Sequence, residues 1–353
     1  MRVGWTCPCV WIGMLMAYVV VSLLLLNPPL DPVGSGTNNI SPRIRSAESV
    51  DAIVFVALGP AARSNSLLYA LSSLREKGRW DGPVYVIVGR ADDLVCLNSH
   101  LAQPVSVIPT SASHDDAEGE GAGPAVDAKM IKMRLLELLP PSIERVVYID
   151  CDIITKRSIG PFLQEVGRLW REVDRNKGGG PGEASGAVPS HLKGGGGGLP
   201  PAAGDNDQPS TLLIFPDAAG HTIRACSGCD EAHSGVVSLA RGHSERCLEL
   251  WREAFLGGGK DGRRTATDQE AMDIALREGS GCEARWVDRS HMHFMKDPFV
   301  MLGLTKTSTF AHFTSLLHPE RLSGSHRRYY EWSLGRSFNE WGEIELKACA
   351  SDH

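Results

Sequence analysis

From Ile53 onward, blocks of apolar and polar residues predict strands and helices in turn. Short apolar runs rich in β-branched residues predict buried strands at 53–58, 83–89, 104–109, 145–150 and 211–217. Apolar residues at helical spacing predict helices at 64–78 and 129–141, which end at Gly78 and at Pro140–Pro141. This alternation predicts an α/β fold with a Rossmann-like, mostly parallel sheet flanked by helices.

The N-terminal region has a different pattern. Residues 7–26 are uncharged and mostly apolar, and about 20 residues of helix span a bilayer core. Arg2 precedes this run and the next charge is Asp31, so we expect a transmembrane signal anchor, a cytosolic tail at 1–6 and a luminal remainder. A cleaved signal peptide is the alternative, although no small-x-small cleavage site follows. The expected location is the Golgi or endoplasmic reticulum membrane, with single-pass type II topology.

The remaining boundaries follow from composition. Residues 27–50 are rich in Pro, Gly, Ser and Asn, which predicts a luminal stem. The ordered patterning predicts a catalytic domain at 51–325, interrupted at 174–209 by a Gly-rich insertion that we expect to be disordered. A C-terminal extension at 326–353 has no clear pattern. The formal net charge of -6 shows no basic excess, so we expect no nucleic-acid partner.

Cysteine usage leaves the disulfide pattern open. The chain has 9 cysteines, of which Cys7 and Cys9 lie in the apolar run. An oxidising lumen would favour disulfides among the others. Their number is odd and their pairing does not follow from the sequence.

The main candidate for chemistry is VVYIDCDIIT at 146–155, where an apolar strand ends in Asp-x-Asp. Ligands of open α/β sheets bind beyond the carboxyl ends of the strands. In an extended segment residues i and i+2 point the same way, so Asp150 and Asp152 could face one Mn²⁺ or Mg²⁺ ion. The alternative is that the two acids cap the strand or the following turn.

Four segments of the chain, taken together and in their order along the sequence, strengthen the interpretation of Asp150 and Asp152 as metal ligands. They are KMRLLELLPPSIERVVYIDCDII, HSGVVSLARGHSERCLELWREAF at 233–255, TDQEAMDIAL at 267–276 and FAHFTSLLHP at 310–319. This series resembles glycosyltransferase family 8 and related GT-A enzymes, the group that includes glycogenin and the galactinol synthases. The resemblance implies a GT-A fold and a nucleotide-sugar donor.

The resemblance also implies how the donor is held. Asp150 and Asp152 would bind the metal, with His312 as the third protein ligand; a buried strand histidine is the alternative for His312. Other residues would contact the nucleotide-sugar: Ala57, Leu58 and Gly59 at the end of the first strand, Lys132 in the helix before Asp-x-Asp, and Gly235. An ordinary solvated charge is the alternative for Lys132.

The implied catalytic pair is Asp268 and Gln269, beside the transferred sugar. There Asp268 could act as a nucleophile or position the sugar. Thr267–Asp268 is also a good helix N-cap sequence, and both interpretations can hold.

The chain departs from the family pattern at three positions. His233 stands where the family has Asn, and Ser315 and His318 stand where it has Gly and Lys. His318 would contact the diphosphate in place of that lysine, although it is charged only part of the time near neutral pH. Arg321 is the alternative for this contact. Whether transfer would retain or invert the anomeric configuration therefore stays open.

These patterns together predict a metal-dependent glycosyltransferase that moves a sugar from a nucleotide-diphosphate sugar, preferably a UDP-sugar, to a glycan or glycoprotein acceptor. The alternative from another class is a catalytically silent GT-A scaffold that binds nucleotide or a partner. The sequence leaves the sugar and the acceptor open.

Overall fold

The computed structural model describes residues 50–58, 61–62, 65–90, 103–110, 124–178, 209–217, 231–257, 267–277, 280–294 and 308–312. The predicted tail, anchor and C-terminal extension lie outside these residues, as do the stem except for Val50 and most of the Gly-rich insertion. Within the described residues, no helix is both long and apolar enough to cross a membrane.

A seven-stranded sheet forms the centre of the fold, with strand order β3-β2-β1-β4-β7-β6-β8. Its strands are β1 (Ala52–Ala57), β2 (Val84–Val88), β3 (Ser106–Pro109), β4 (Arg145–Ile149), β6 (Ser210–Asp217), β7 (Glu231–Ala240) and β8 (Cys282–Trp286). The first four strands in this order pair in parallel, and β7 is antiparallel to both neighbours. β8 is parallel to β6. The predicted α/β fold with a mostly parallel sheet is therefore confirmed, as a mixed sheet.

The central strands β1 and β4 of this sheet are buried on both faces, as expected for a sheet covered by helices, whereas the edge strands β3 and β8 are partly exposed. Alternate residues of β1 illustrate this, because Ile53 and Phe55 belong to one apolar cluster and Val54 to the other. Trp170 is buried in the first cluster and Trp251 in the second. The helices are α1 (Asn65–Glu76), α2 (Pro124–Lys132), α3 (Leu135–Leu138), α4 (Gly160–Gly178), α5 (Glu245–Leu256) and α6 (Asp268–Ala275).

Two helix predictions need correction. The single helix expected at 129–141 is divided into α2 and α3, because the chain turns at Met133 and Arg134. At this turn the amide of Arg134 donates to the carbonyl of Ile131 at 2.9 Å. This bond spans three residues and not the four of an α-helix, so the turn is tighter. Helix α4 continues to Gly178, so the insertion expected from position 174 begins with helix.

A second, three-stranded sheet has the order β5-β10-β9, formed by β5 (Ile153–Thr155), β9 (Met292–Phe294) and β10 (Phe310–His312). β10 runs antiparallel to β5, and this register places His312 opposite Ile153. Since Ile153 directly follows Asp152, the small sheet brings His312 beside the Asp-x-Asp segment.

A disulfide joins Cys247 in α5 to Cys282 in β8. It links the helix that packs against one face of the sheet to the edge strand of that sheet. Cys151 is the free cysteine among the described residues.

Candidate active site

The Asp-x-Asp segment lies in a turn that connects β4 of the large sheet to β5 of the small one. The amide of Ile153 donates to the carbonyl of Asp150 at 3.1 Å, which closes the turn. The expectation of an extended segment is therefore wrong, because the chain has to leave one sheet and enter the other. As a result, Asp150 and Asp152 contact different groups.

Asp150 lies against the buried cation of Lys132. The Lys132 ammonium is 3.1 Å from Asp150 Oδ1 and 2.8 Å from Asp268 Oδ2. It also donates to the backbone carbonyl of Ser234 at 3.2 Å, and only 5% of the residue is exposed. The alternative of a solvated helix charge for Lys132 is thus wrong.

Tyr148 completes the surroundings of Asp150. Its hydroxyl donates to Asp150 Oδ1, and its ring lies 4.8 Å from the Lys132 ammonium. Burial raises the pKa of Asp150, and the Asp152 and Asp268 carboxylates raise it further against the opposing effect of Lys132. This side chain therefore depends on a nearby positive charge to stay ionised.

Asp268 begins helix α6 but does not cap it. The side chain of Thr267 is the cap and accepts from the amide of Glu270 at 3.0 Å. Asp268 Oδ2 instead accepts from the Ser234 hydroxyl at 3.0 Å, in addition to Lys132. The Trp251 indole donates to the Asp268 carbonyl at 2.7 Å and so anchors this helix end.

The charge of Asp268 follows from these contacts. Burial alone would raise the pKa of its carboxyl group, but Lys132, Lys129 and the Ser234 hydroxyl outweigh burial and lower this pKa below the ordinary value. Asp268 is therefore a stable anion. Gln269 is the next residue of the helix and is partly exposed; its catalytic role stays a prediction.

Asp152 belongs to a second group of contacts, with two histidines. Asp152 Oδ2 is 3.3 Å from His312 Nε2, and His312 Nδ1 is 3.0 Å from Nε2 of His233. Burial lowers the pKa of His233 well below the ordinary value of histidine, and His312 and Lys132 lower it further. His233 is consequently neutral at physiological pH.

Gly235 is required by close packing within the site. A Cβ at this position would lie 2.5 Å from Cε1 of His233 and 2.9 Å from Asp150 Oδ2. The Gly235 carbonyl also accepts from the Asp150 amide at 2.8 Å. The absence of a side chain therefore makes room for protein groups, and the predicted contact of Gly235 with a sugar stays a prediction.

Ala57 and Leu58 are buried at the carboxyl end of β1, which is the edge where the Asp-x-Asp turn follows β4. The Cys151 thiol donates to the carbonyl of Val56 at 3.3 Å and ties this turn to the end of β1. Gly59 and His318 lie outside the described residues, so their predicted donor contacts are not placed.

The donor types at this edge fit a divalent cation. Two donors at right angles, each about 2.1 Å from an ion, are about 3 Å apart, close to the distance between Asp152 Oδ2 and His312 Nε2. Asp150 could supply a further oxygen, but its Oδ1 is engaged by Lys132 and Tyr148. Accordingly, the described part of the chain contains no group of three His, Cys, Asp or Glu side chains already arranged around a metal position.

Sequence reasoning missed two members of the site, Tyr148 and Ser234. Tyr148 could have been found, because it lies only two residues before Asp150, near the end of the strand that leads into the turn. Ser234 lies in the HSG segment, but its two contacts with Lys132 and Asp268 depend on groups more than 30 residues away.

No protein-family model matches the chain, and no curated protein matches it. Among solved structures, the galactosyltransferase LgtC in complex with donor and acceptor sugar analogs covers 83% of this chain and 99% of its own, at 15% identity and a TM-score of 0.47. An active-site mutant of LgtC gives the same values. Mouse xyloside xylosyltransferase 1, in its apo form, covers 74% of this chain and 97% of its own, at 14% identity and a TM-score of 0.45.

These solved structures are of glycosyltransferases. At these identities the likeness concerns the fold, and no substrate or site residue is transferred from it to this chain.

Proposed function

We propose that this protein transfers a sugar from a nucleotide-diphosphate sugar, with a UDP-sugar as the preferred donor, to a glycan or glycoprotein acceptor. The observation that carries the proposal is the convergence of five polar side chains at the carboxyl end of β4: Lys132, Asp150, Asp152, Asp268 and His312. They come from four separate segments of the chain, and this edge of an open α/β sheet is where ligands bind.

The proposed metal is Mn²⁺ or Mg²⁺, held by Asp152 and His312 with Asp150 as the third ligand. When bound, it would neutralise the diphosphate and favour its departure. Carboxylate oxygens suit either ion, and an imidazole ligand suits Mn²⁺ better than Mg²⁺.

Asp268 would act on the transferred sugar as an anion. Because its pKa is lowered, it would be a weak proton acceptor at neutral pH but would keep its negative charge. A fixed carboxylate stabilises the positive charge that develops on a sugar ring when the leaving group departs. Gln269 would position the sugar beside it, and Ala57 and Leu58 would line the nucleotide base with their backbone.

A second candidate is a binding scaffold that holds a nucleotide without transferring a sugar. One observation favours it, namely that Lys132 already pairs with both Asp150 and Asp268. If these pairs persist when nucleotide is bound, neither carboxylate is available to a donor.

The test is release of nucleotide from a panel of UDP- and GDP-sugars by the full chain, with and without Mn²⁺. We expect slow, metal-dependent release from one donor by the wild type and loss of release in Asp152→Asn. The control is Glu253→Gln, which removes an exposed carboxylate on α5 and should keep wild-type activity.

The possible outcomes separate the two candidates. Metal-dependent nucleotide binding without release from any donor, even when candidate acceptors are added, would favour the scaffold. If the chain neither releases nor binds nucleotide, both candidates are refuted.

We further propose that the chain is a single-pass type II protein of the Golgi or endoplasmic reticulum membrane, with its catalytic domain in the lumen. The apolar run at 7–26 and the Cys247–Cys282 disulfide support this location, because disulfides persist in oxidising compartments. The test is protease digestion of sealed microsomes that contain the chain. Degradation of the domain without detergent would contradict a luminal location.

A further inference from the structure

We propose that His233 is a positioning residue, which orients the ring of His312 and sets which of its nitrogens faces a bound cation. This inference rests on the proposed function, because it takes His312 to be a metal ligand. It concerns the position where the chain departs from the Asn of the family pattern.

The two rings form a fixed pair. His233 lies in β7 and is 2% exposed, and its Nε2 is 3.0 Å from His312 Nδ1. The rings meet edge to face with their centroids 4.8 Å apart. Since His312 comes from β10 of the small sheet, this contact joins the two sheets at the site.

The opposite nitrogen of His312 is directed to the proposed metal position. His312 Nε2 lies 3.3 Å from Asp152 Oδ2. To bind a cation through Nε2, the ring has to carry its hydrogen on Nδ1, and that hydrogen needs an acceptor in the protein. Nε2 of His233, 3.0 Å from His312 Nδ1, is at the right distance to accept it.

The chain also makes room for the second ring. The space that a side chain at position 235 would need is filled by His233, whose Cε1 would be 2.5 Å from a Cβ of Gly235. The His233 ring is thereby packed against Gly235 of its own strand and against His312, which restricts its rotation.

Substitution of His233 by leucine or glutamine tests the role of its nitrogen. Leucine keeps an apolar side chain of comparable bulk but cannot accept a hydrogen bond, whereas the glutamine amide oxygen can. Mn²⁺ binding to the full chain is measured from the electron paramagnetic resonance signal of free Mn²⁺ and by calorimetry. We expect His233→Leu to weaken Mn²⁺ binding about 10- to 100-fold and His233→Gln to restore most of it.

The control is His243→Leu. His243 also pairs an imidazole with an aspartate, since its Nε2 lies 3.1 Å from Asp174 Oδ1, but it lies outside the site. The substitution His243→Leu should leave Mn²⁺ affinity unchanged. Unfolding curves of the metal-free variants serve to exclude a general loss of folding as the cause of weaker binding.

Different results would refute the inference and the proposed function. If His312→Ala abolishes Mn²⁺ binding but His233→Leu binds as tightly as the wild type, the metal site stands and the role of His233 is refuted. Equal loss in His233→Leu and His233→Gln would also refute it, because a hydrogen-bond acceptor would then not matter. If the wild type does not bind Mn²⁺, or His312→Ala binds it equally well, the proposed metal site itself is refuted.

Discussion

Asp150 and Asp152 are separated by one residue, yet they belong to two clusters with different partners for the carboxylate. Asp150 shares the buried Lys132 cation with Asp268, and the three form what we call the lysine cluster. Asp152 contacts His312, which contacts the neutral His233, and these three form the histidine cluster. The lysine cluster contains its own cation, whereas among the described residues the Asp152 carboxylate of the histidine cluster pairs with an imidazole and not with a lysine or arginine.

This difference suggests a division of roles within one short motif. Buried carboxylates that are paired with a lysine hold the local structure, because removal of the lysine leaves buried charges without compensation. A carboxylate beside an imidazole, which can itself bind a metal, is instead suited to receive a cation from solution. The two clusters should therefore respond differently to mutation, to pH and to added metal.

The largest effect is expected from Lys132→Met. It leaves Asp150 and Asp268 without their shared cation, and loss of one partner of a buried pair costs about 3–5 kcal/mol of the free energy of unfolding. Urea denaturation of the full chain without metal, followed by tryptophan fluorescence, measures this loss. Lys129→Met is the matched control: its ammonium is 3.7 Å from the same Asp268 and 31% exposed, so it should cost less than about 1 kcal/mol.

The double variant Lys132→Met/Asp268→Asn sharpens this prediction. Since it also removes one of the stranded charges, it should be more stable than Lys132→Met alone. Equal losses in Lys132→Met and Lys129→Met would show that the lysine cluster does not hold the structure.

An intermediate effect is expected from acid. The folded-state pKa of Asp268 lies below its ordinary value of 3.8, so its contribution to stability is fully present above about pH 4 and is lost as the pH falls below 3.8. Between pH 5 and pH 3 the free energy of unfolding should therefore fall less in Asp268→Asn than in the wild type. Denaturation at both pH values measures this difference, and an identical fall would contradict the prediction.

Much of the fold could be predicted because its strands carry a strong local signal. Runs such as IVFVAL are apolar and β-branched, and they form central strands that are buried on both faces. The strands β5, β9 and β10 have three residues each. Segments this short have no periodicity to detect, and their pairing depends on the rest of the fold.

The sequence predicted several residues of the site but not the contacts between them. The resemblance singled out Lys132, Asp150 and Asp268, but nothing in the sequence shows that one ammonium would join both carboxylates across 136 positions. The same limit applies to His233, whose partner His312 lies 79 positions away. The expectation that Asp150 and Asp152 point the same way, as residues i and i+2 of an extended segment do, was also wrong, because the segment lies in a turn between two sheets.

The smallest effect on metal-free stability is expected from Asp152→Asn, in the histidine cluster. Asp152 is 25% exposed and its partner is an imidazole, so the substitution should change the free energy of unfolding by less than about 1 kcal/mol. Its effect on metal binding should be large by comparison. A cation at 100 times its dissociation constant stabilises a folded protein by about 2.7 kcal/mol, and we expect this gain with Mn²⁺ in the wild type but not in Asp152→Asn.

Thermal unfolding with and without Mn²⁺ measures both effects at once. Asp174→Asn provides the matched control, because Asp174 also lies beside a histidine, His243, at 3.1 Å. This variant should keep the full increase in melting temperature with Mn²⁺. If Asp152→Asn keeps that increase as well, the histidine cluster does not bind the metal. The difference between the two aspartates would then lie in their protein contacts and not in metal binding.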